Sequence, residues 1–187
     1  MFQKVQFLCV LAAYGLTAFR SIIVLILGSD YRGAVQIIPF LALMPVLSIL
    51  FEMTGQGIKF TKNPKYYNYA SIVAIVINLT GNLILVPRLC GIGAAIATAF
   101  TYIVYYAMGT YFAQKCYPVP YDHKNFVIAV TAYVAYASYA TFTDNEWMNV
   151  SIGVILIIGL LILNRKVVAA LWGYVTDMLK SIVGKKR

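Results

Sequence analysis

The chain has 187 residues, of which 61% are hydrophobic and only 11% carry a charged side chain. A soluble domain carries roughly 25% charged residues, so this composition excludes an ordinary water-soluble fold. The net charge of +9 does not indicate a nucleic-acid-binding protein, because the cations form no basic face and lie in short polar segments and near the C-terminus. The composition therefore predicts an integral membrane protein.

Apolar runs long enough to cross a bilayer recur along the chain. A spanning helix needs about 20 apolar residues, and the alternating pattern of a membrane β-barrel is not found in these runs. We therefore predict an all-α membrane domain over residues 1–164, with about six spanning helices. The predicted spans are 5–27, 35–57, 69–86, 92–112, 125–142 and 147–164.

The placement of lysine and arginine predicts how these spans are oriented. When the polar segments are assigned alternately to the two sides, one side has only Arg32 and Arg88, together with the acidic Asp30, Asp144 and Glu146. Positively charged loops stay in the cytoplasm, so we expect both termini to be cytoplasmic in a plasma membrane. The cytoplasmic cations would be Lys4, Lys59, Lys62, Lys65, Lys115, Lys124, Arg165, Lys166, Lys180, Lys185, Lys186 and Arg187.

Residues 165–187 differ in character from the predicted spans. Their lysines and arginines cluster at both ends, while apolar residues recur between them at helical spacing. This pattern predicts a basic amphipathic helix that lies on anionic lipid on the cytoplasmic side. A solvated tail is the alternative. The apolar positions are Val168, Leu171, Val175, Met178, Leu179 and Ile182.

Arg20 is the charged residue inside the first predicted span. Inserting an arginine at the centre of a span costs about 2.5–3.5 kcal/mol, so such a side chain normally faces a cavity or a partner. Two interpretations stay open. Arg20 either contacts an anionic group of a substrate or extends to the outer interface of the membrane.

Glu52 lies in the inner half of the second predicted span, which also contains Pro39 and Pro45. A carboxylate at this depth is a candidate for binding a proton or a cation that drives transport. The alternative is an ion pair with Lys59 or Lys62 near the inner interface. The two prolines favour a bend, which is common where a transporter helix lines a cavity.

Asn78 and Asn82 are four residues apart and therefore share one face of the third predicted span. They either line a polar cavity or hydrogen-bond to a neighbouring helix. Gly93, Ala97 and Thr101 form a row of small residues on the next span. Such a row predicts close helix packing, here against the third span.

The sequence contains no arrangement typical of a catalytic site. Cys9, Cys90, Cys116 and the single His123 are widely separated, so neither a metal site nor a disulfide framework is predicted. There is no nucleophile with an adjacent base, no carboxylate pair and no phosphate-binding loop. We expect neither enzymatic activity nor a cofactor.

Four stretches resemble the C-terminal part of the bacterial polysaccharide transporters known as Wzx-type O-antigen flippases. The run NLILVP at Asn82–Pro87 and the run GIGAAIAT at Gly91–Thr98 match the usual pattern of that family closely. The helix–loop–helix stretch Leu25–Leu43 and the lysine-rich loop Lys59–Lys65 are also similar to it. The family belongs to the superfamily of multidrug, oligosaccharidyl-lipid and polysaccharide exporters, which have a MATE-like fold.

The resemblance implies a flippase that moves undecaprenyl-diphosphate-linked oligosaccharide repeat units across the bacterial inner membrane by alternating access. Under this interpretation, Arg20 and Arg88 are candidates for binding the diphosphate, and Glu52 is the candidate coupling group. Asn78 and Asn82 would line or brace the substrate cavity.

The chain has about half the spans that the resemblance requires, since the family has two lobes around its cavity. We therefore expect it to be the C-terminal part of a transporter that needs a missing N-terminal lobe or another membrane chain. Two alternatives stay open. One is a small transporter that works as a homodimer, and the other is a non-transporting membrane scaffold for polysaccharide assembly.

Overall fold

A computed structural model describes residues 2–61, 64–119, 124–143 and 145–173 of the chain. These residues are almost entirely helical and contain no β-strand, which confirms the predicted all-α class. Residues 165–173 continue as helix after Asn164. The helices are α1 (Phe2–Ala18), α2 (Arg20–Leu27), a 3₁₀ helix (Ser29–Gln36), α3 (Ile38–Leu41), α4 (Leu43–Thr54), α5 (Gln56–Phe60), α6 (Lys65–Cys116), α7 (Lys124–Phe142) and α8 (Glu146–Leu163).

Some positions used in the sequence argument lie outside the described residues. They include Lys62, His123, Asp144 and most of the predicted amphipathic tail, from residue 174 to residue 187. The tail and the orientation of the termini therefore stay predictions.

Four helical segments of the described chain are long and apolar enough to cross a membrane. They are α6, α7, α8 and the run Ile38–Phe60, which comprises α3, α4 and α5. A fifth is obtained if α1 and α2, which are bent by 69° relative to each other, are counted as one broken span. These apolar helices agree with the predicted membrane protein.

The first two predicted spans are broken in the structure. The first bends at Phe19, between α1 and α2. The second is interrupted at Ala42 and at Gly55. Pro45 has no N–H to donate to the carbonyl of Leu41, so one helical hydrogen bond is missing beside the break at Ala42. The helix is thus interrupted within the proline-containing span, while the predicted bend stays a prediction.

Helix α6 folds back on itself at Cys90. Its 52 residues would measure ~78 Å in a straight helix, far more than the ~30 Å hydrocarbon thickness of a bilayer. At Cys90 the backbone leaves helical geometry, with φ 48° and ψ −127°. We call residues 65–89 the N-terminal arm and residues 91–116 the C-terminal arm.

Contacts between the two arms show that they run antiparallel. The rings of Tyr66 and Phe112 stack with centroids 5.1 Å apart, and Asn78 Nδ2 donates a hydrogen bond of 3.3 Å to Thr101 Oγ1. A Cβ atom placed on Gly81 would lie 3.0 Å from the Cβ of Ala97. The arms therefore pack along most of their length as a helical hairpin.

Small residues allow the helices to approach closely. The row Gly93, Ala97 and Thr101 faces the N-terminal arm, as the sequence predicts, and a Cβ on Gly93 would lie 2.6 Å from the carbonyl carbon of Leu85. Close backbone approach at small residues is a main source of helix association in membranes, where lipid gives no hydrophobic driving force between helices.

A mostly apolar core joins the hairpin to the other helices. Its members come from α1, α3, α4, α6, α7 and α8, and the ring of Phe51 on α4 fills the space left by Gly109 on the C-terminal arm. The N-terminal arm contributes little to this core. Its exposed side chains are largely apolar and include Ile72, Ile75, Val76, Leu79 and Leu83.

The hairpin contact predicts that Gly93→Ala destabilises the protein, whereas the same change at an unobstructed glycine does not. A Cβ on Gly93 meets the backbone of Leu85 and Val86, while a Cβ on Gly159 meets no atom within 4 Å. We expect Gly93→Ala to lower the free energy of unfolding by about 1–3 kcal/mol. We expect Gly159→Ala to be neutral or to raise it by up to about 1 kcal/mol.

The free energy of unfolding of the purified wild-type protein and of each variant, measured in detergent, tests both expectations. Equal effects of the two substitutions would contradict the close packing of the arms at Gly93.

Candidate functional site

An open groove of about 690 Å³ lies between α4 and the two arms of α6. It is located near the middle of both arms, because Asn78 and Thr101 each lie about halfway along the arm that contains them. Both predicted asparagines line it. The lining residues are Met44, Ser71, Ala74, Ile75, Asn78, Leu79, Asn82, Thr98, Thr101, Tyr102 and Tyr105.

A chain of hydrogen bonds crosses the groove and joins its two walls. Asn82 Nδ2 donates to the backbone oxygen of Asn78 at 2.8 Å and to Asn78 Oδ1 at 3.0 Å. Asn78 Nδ2 donates to Thr101 Oγ1, which donates in turn to the oxygen of Ala97 at 2.7 Å. Asn78 therefore hydrogen-bonds to the neighbouring arm, while Asn82 bonds to Asn78 on its own arm. Both side chains also line the groove, and their role towards a substrate stays a prediction.

The remaining polar groups of the groove are neutral and available to a ligand. Within the described residues, the hydroxyl groups of Ser71, Thr98, Tyr102 and Tyr105 make no hydrogen bond to the protein, and no residue that lines the groove is charged. Hydroxyl and amide groups both donate and accept hydrogen bonds. The groove therefore presents neutral hydrogen-bonding groups beside apolar side chains such as Met44 and Ile75.

Arg20 is located elsewhere, at one end of the helix bundle, where its buried guanidinium pairs with the partly exposed carboxylate of Glu146. Only 1% of the Arg20 surface is exposed. Its Nη2 atom donates to Glu146 Oε1 at 2.8 Å and to the oxygen of Thr143 at 3.2 Å. Its Nη1 atom donates to the oxygens of Ala140 and Val35. The guanidinium thus joins α2 to the end of α7, the start of α8 and the 3₁₀ helix.

A buried polar network surrounds this ion pair. Tyr133 OH donates to the oxygen of Pro39 at 2.7 Å, so the 2.7 Å contact between Thr17 Oγ1 and Tyr133 OH is donated by Thr17. Asn149 Nδ2 donates to the oxygen of Thr17 at 3.2 Å, and Tyr136 OH donates to the oxygen of Asn149 at 3.1 Å. These bonds connect α1, α3, α7 and α8.

Glu52 and Arg88 lie apart from both the groove lining and the ion pair of Arg20. The Glu52 side chain is 65% exposed on α4 and its Oε2 accepts from Lys59 Nζ at 2.8 Å, which is the pairing considered as the alternative in the sequence analysis. Arg88 is exposed near the tip of the α6 hairpin. The structure thus brings Asn78 and Asn82 together but not the three charged candidates.

Sequence reasoning did not identify Glu146, Asn149 and Tyr133 as partners of the Arg20 region. Asn149 and Thr17 are fully buried polar residues within apolar helices. A polar residue within an apolar run was the sequence feature that could have indicated a buried hydrogen-bond network. No group of three histidine, cysteine or acidic side chains suited to a metal occurs in the described parts of the chain.

Comparison with known proteins gives one informative similarity. Over 114 residues the chain is 23% identical to the "Probable low-salt glycan biosynthesis flippase Agl15" of Haloferax volcanii. The match covers 60% of this chain and 24% of that protein, so it spans about a quarter of the relative's length. No protein-family model and no solved structure matches the chain. The similarity supports a membrane protein related to glycan flippases.

The burial of Arg20 predicts strong coupling between this residue and Glu146. A hydrogen bond to a charged group contributes about 1.5–3 kcal/mol, so a double-mutant cycle of Arg20→Met and Glu146→Gln is expected to give a coupling energy of about 2 kcal/mol. The matched cycle of Lys59→Met and Glu52→Gln is expected to give less than about 1 kcal/mol, because that pair is exposed.

Reversible unfolding in mixed micelles supplies the four free energies that each cycle needs. A coupling energy near zero for Arg20 and Glu146 would show that their contact does not stabilise the bundle.

Proposed function

We propose that this chain is part of a transporter that moves lipid-linked oligosaccharide across a cytoplasmic membrane, as in the inner membrane of a bacterium. The observation that carries the proposal is the neutral groove rich in hydroxyl and amide groups at mid-depth of an apolar helix bundle. Transporter substrates bind near the midplane of the bilayer. The similarity to a protein described as a glycan biosynthesis flippase supports the same class of substrate.

The proposed arrangement has six membrane crossings with both termini in the cytoplasm. The two arms of α6 count as separate crossings because they run antiparallel on either side of Cys90. The bent pair α1 and α2, the run Ile38–Phe60, α7 and α8 supply the other four. Lys59, Lys65, Lys115 and Lys124 then flank the cytoplasmic ends of these segments, in agreement with the positive-inside rule.

A second membrane segment would complete the transport path. The match spans about a quarter of its relative, and alternating access requires two units that move around one site. We propose that the chain acts as the second lobe of a MATE-like transporter. An N-terminal lobe or another membrane chain would cover the groove, with the exposed apolar side chains of the N-terminal arm beside it.

In the proposed transport, the groove residues bind the glycan, whereas the arginines are candidates for the lipid diphosphate. Asn78 and Asn82 bind glycan hydroxyl groups through the side-chain atoms that the arms leave available. Arg88, which is exposed near the hairpin tip, is the candidate for the lipid diphosphate. Arg20 reaches the diphosphate only if its pair with Glu146 opens, so its role in the closed bundle is structural.

The proposed coupling group is Glu52. Its exposed carboxylate is paired with Lys59, and an ion bound by the carboxylate would compete with the lysine. No step of the proposed transport requires an enzymatic reaction or a cofactor.

Complementation tests this function. A bacterium that lacks its own polysaccharide flippase would receive the chain alone, or together with the N-terminal lobe of a related flippase, and surface polysaccharide would be measured. We expect rescue only with the added lobe. Rescue by the chain alone would indicate a homodimer, whereas failure of both despite verified insertion in the membrane would contradict a role in transport.

The groove is tested with isosteric substitutions in the rescuing combination. Thr98→Val with Tyr102→Phe removes two hydroxyl groups from the groove, while Thr80→Val with Tyr111→Phe makes the same changes at exposed positions. We expect the first pair to lower transport by about thirtyfold, because each of the two lost hydrogen bonds is worth about 1 kcal/mol. The second pair is expected to have no effect. Equal transport by both double variants would exclude the groove from the substrate path.

A further inference from the structure

A second cavity, of about 280 Å³, lies at the end of the bundle where α1 and α7 begin and α8 ends. Its inner wall is apolar, and its outer wall is formed by polar side chains and the first residues of the helix that follows α8. The lining residues are Gln3, Gln6, Phe7, Val10, Asn125, Phe126, Ala129, Leu160, Leu163, Asn164, Arg165, Lys166 and Val167.

The polar side chains of this cavity have the chemistry of an anion site. Arg165 and Lys166 provide two cations, and Gln3, Gln6 and Asn125 provide amide donors. Among the described residues that line the cavity there is no carboxylate. Arginine binds phosphate through two parallel hydrogen bonds, and lysine adds a compact positive charge.

Gln6 is an independent indication of a ligand. It is only 7% exposed, and its Nε2 atom is buried without a hydrogen-bond acceptor among the described residues. A buried donor without an acceptor is unfavourable, so most such groups have a partner. An oxygen atom bound in the cavity would accept from this amide.

The depth of the cavity identifies the source of that oxygen. Helices α7 and α8 have 19 and 18 residues, which correspond to ~27 Å of helix and nearly match the ~30 Å hydrocarbon core. Their ends therefore lie at the level of the lipid headgroups. Beside the cavity, Ile162 and Leu163 are exposed on α8 and present an apolar surface to acyl chains.

We propose that this cavity binds the phosphate group of an anionic membrane phospholipid. The phosphate oxygens accept hydrogen bonds from Gln6, Arg165 and Lys166, and the acyl chains extend along the outer surface of α8. Basic pockets between membrane helices are known to bind lipid headgroups in this manner. The site is separate from the mid-depth groove, so it does not depend on the proposed transport function.

Native mass spectrometry of the purified full chain tests the proposal. The protein in detergent is titrated with phosphatidylglycerol or with phosphatidylcholine carrying the same acyl chains. We expect phosphatidylglycerol to bind about tenfold more tightly, because both cations pair with its net negative charge. Equal affinity for the two lipids would overturn the proposal.

Substitutions then locate the site. Arg165→Gln with Lys166→Gln is expected to remove the preference for phosphatidylglycerol, whereas Lys65→Gln with Lys115→Gln, an equal loss of charge away from the cavity, is expected to preserve it. Gln6→Leu keeps the net charge and is expected to weaken binding by about tenfold, because it removes a hydrogen bond to the charged phosphate. The assignment would be contradicted if both double variants lost the preference for phosphatidylglycerol equally. Unchanged lipid binding by Gln6→Leu would also contradict it.

Competition separates a lipid from a soluble phosphate. Inorganic phosphate added at the concentration of the lipid is expected to leave phosphatidylglycerol bound, because it gains no contact with the apolar surface of α8. Displacement of the lipid by inorganic phosphate would assign the cavity to a soluble anion and overturn the lipid proposal.

Discussion

The close approach of the two arms of α6 is the constraint on which the rest of the structure depends. In lipid, every backbone polar group must be paired within the chain, and a 52-residue helical run is too long to remain straight across a bilayer. The chain reverses at Cys90, and Gly81, Ala97 and Gly93 let the arms pack closely. This reversal brings Asn78 to Thr101 and creates the groove.

The region around Arg20 and the region around the groove are stabilised by different interactions. Around Arg20, a buried guanidinium and a network of tyrosine, threonine and asparagine side chains connect four helices, so this region is expected to move as one rigid body. Around the groove, the hydroxyl groups of Ser71, Thr98, Tyr102 and Tyr105 have no protein hydrogen-bond partner within the described residues, whereas that of Thr101 is hydrogen-bonded. Under the proposed function, the packed region around Arg20 would hold the groove in place while its available hydrogen-bonding groups bind the ligand.

The helices and the groove-lining asparagines were predictable from the sequence, because hydropathy and residue spacing are local properties. Asn78 and Asn82 share a face by helical geometry, and the row from Gly93 to Thr101 indicates a packing surface. The partner of Arg20 was not predictable, since Glu146 lies 126 residues away and hydropathy does not specify which helices are neighbours. The bend at Phe19 was also missed, because no proline or glycine occurs at that position.

Site-specific photocrosslinking to the substrate would test the account most directly. A photoreactive phenylalanine analogue would replace Tyr102 in the groove or, as a control, the exposed Tyr111. The variants would be produced with the complementing lobe in cells that assemble labelled lipid-linked oligosaccharide. The account predicts a labelled adduct at position 102 that exceeds the adduct at position 111. Equal labelling at both positions, or none at position 102 while transport proceeds, would contradict the proposed path of the glycan.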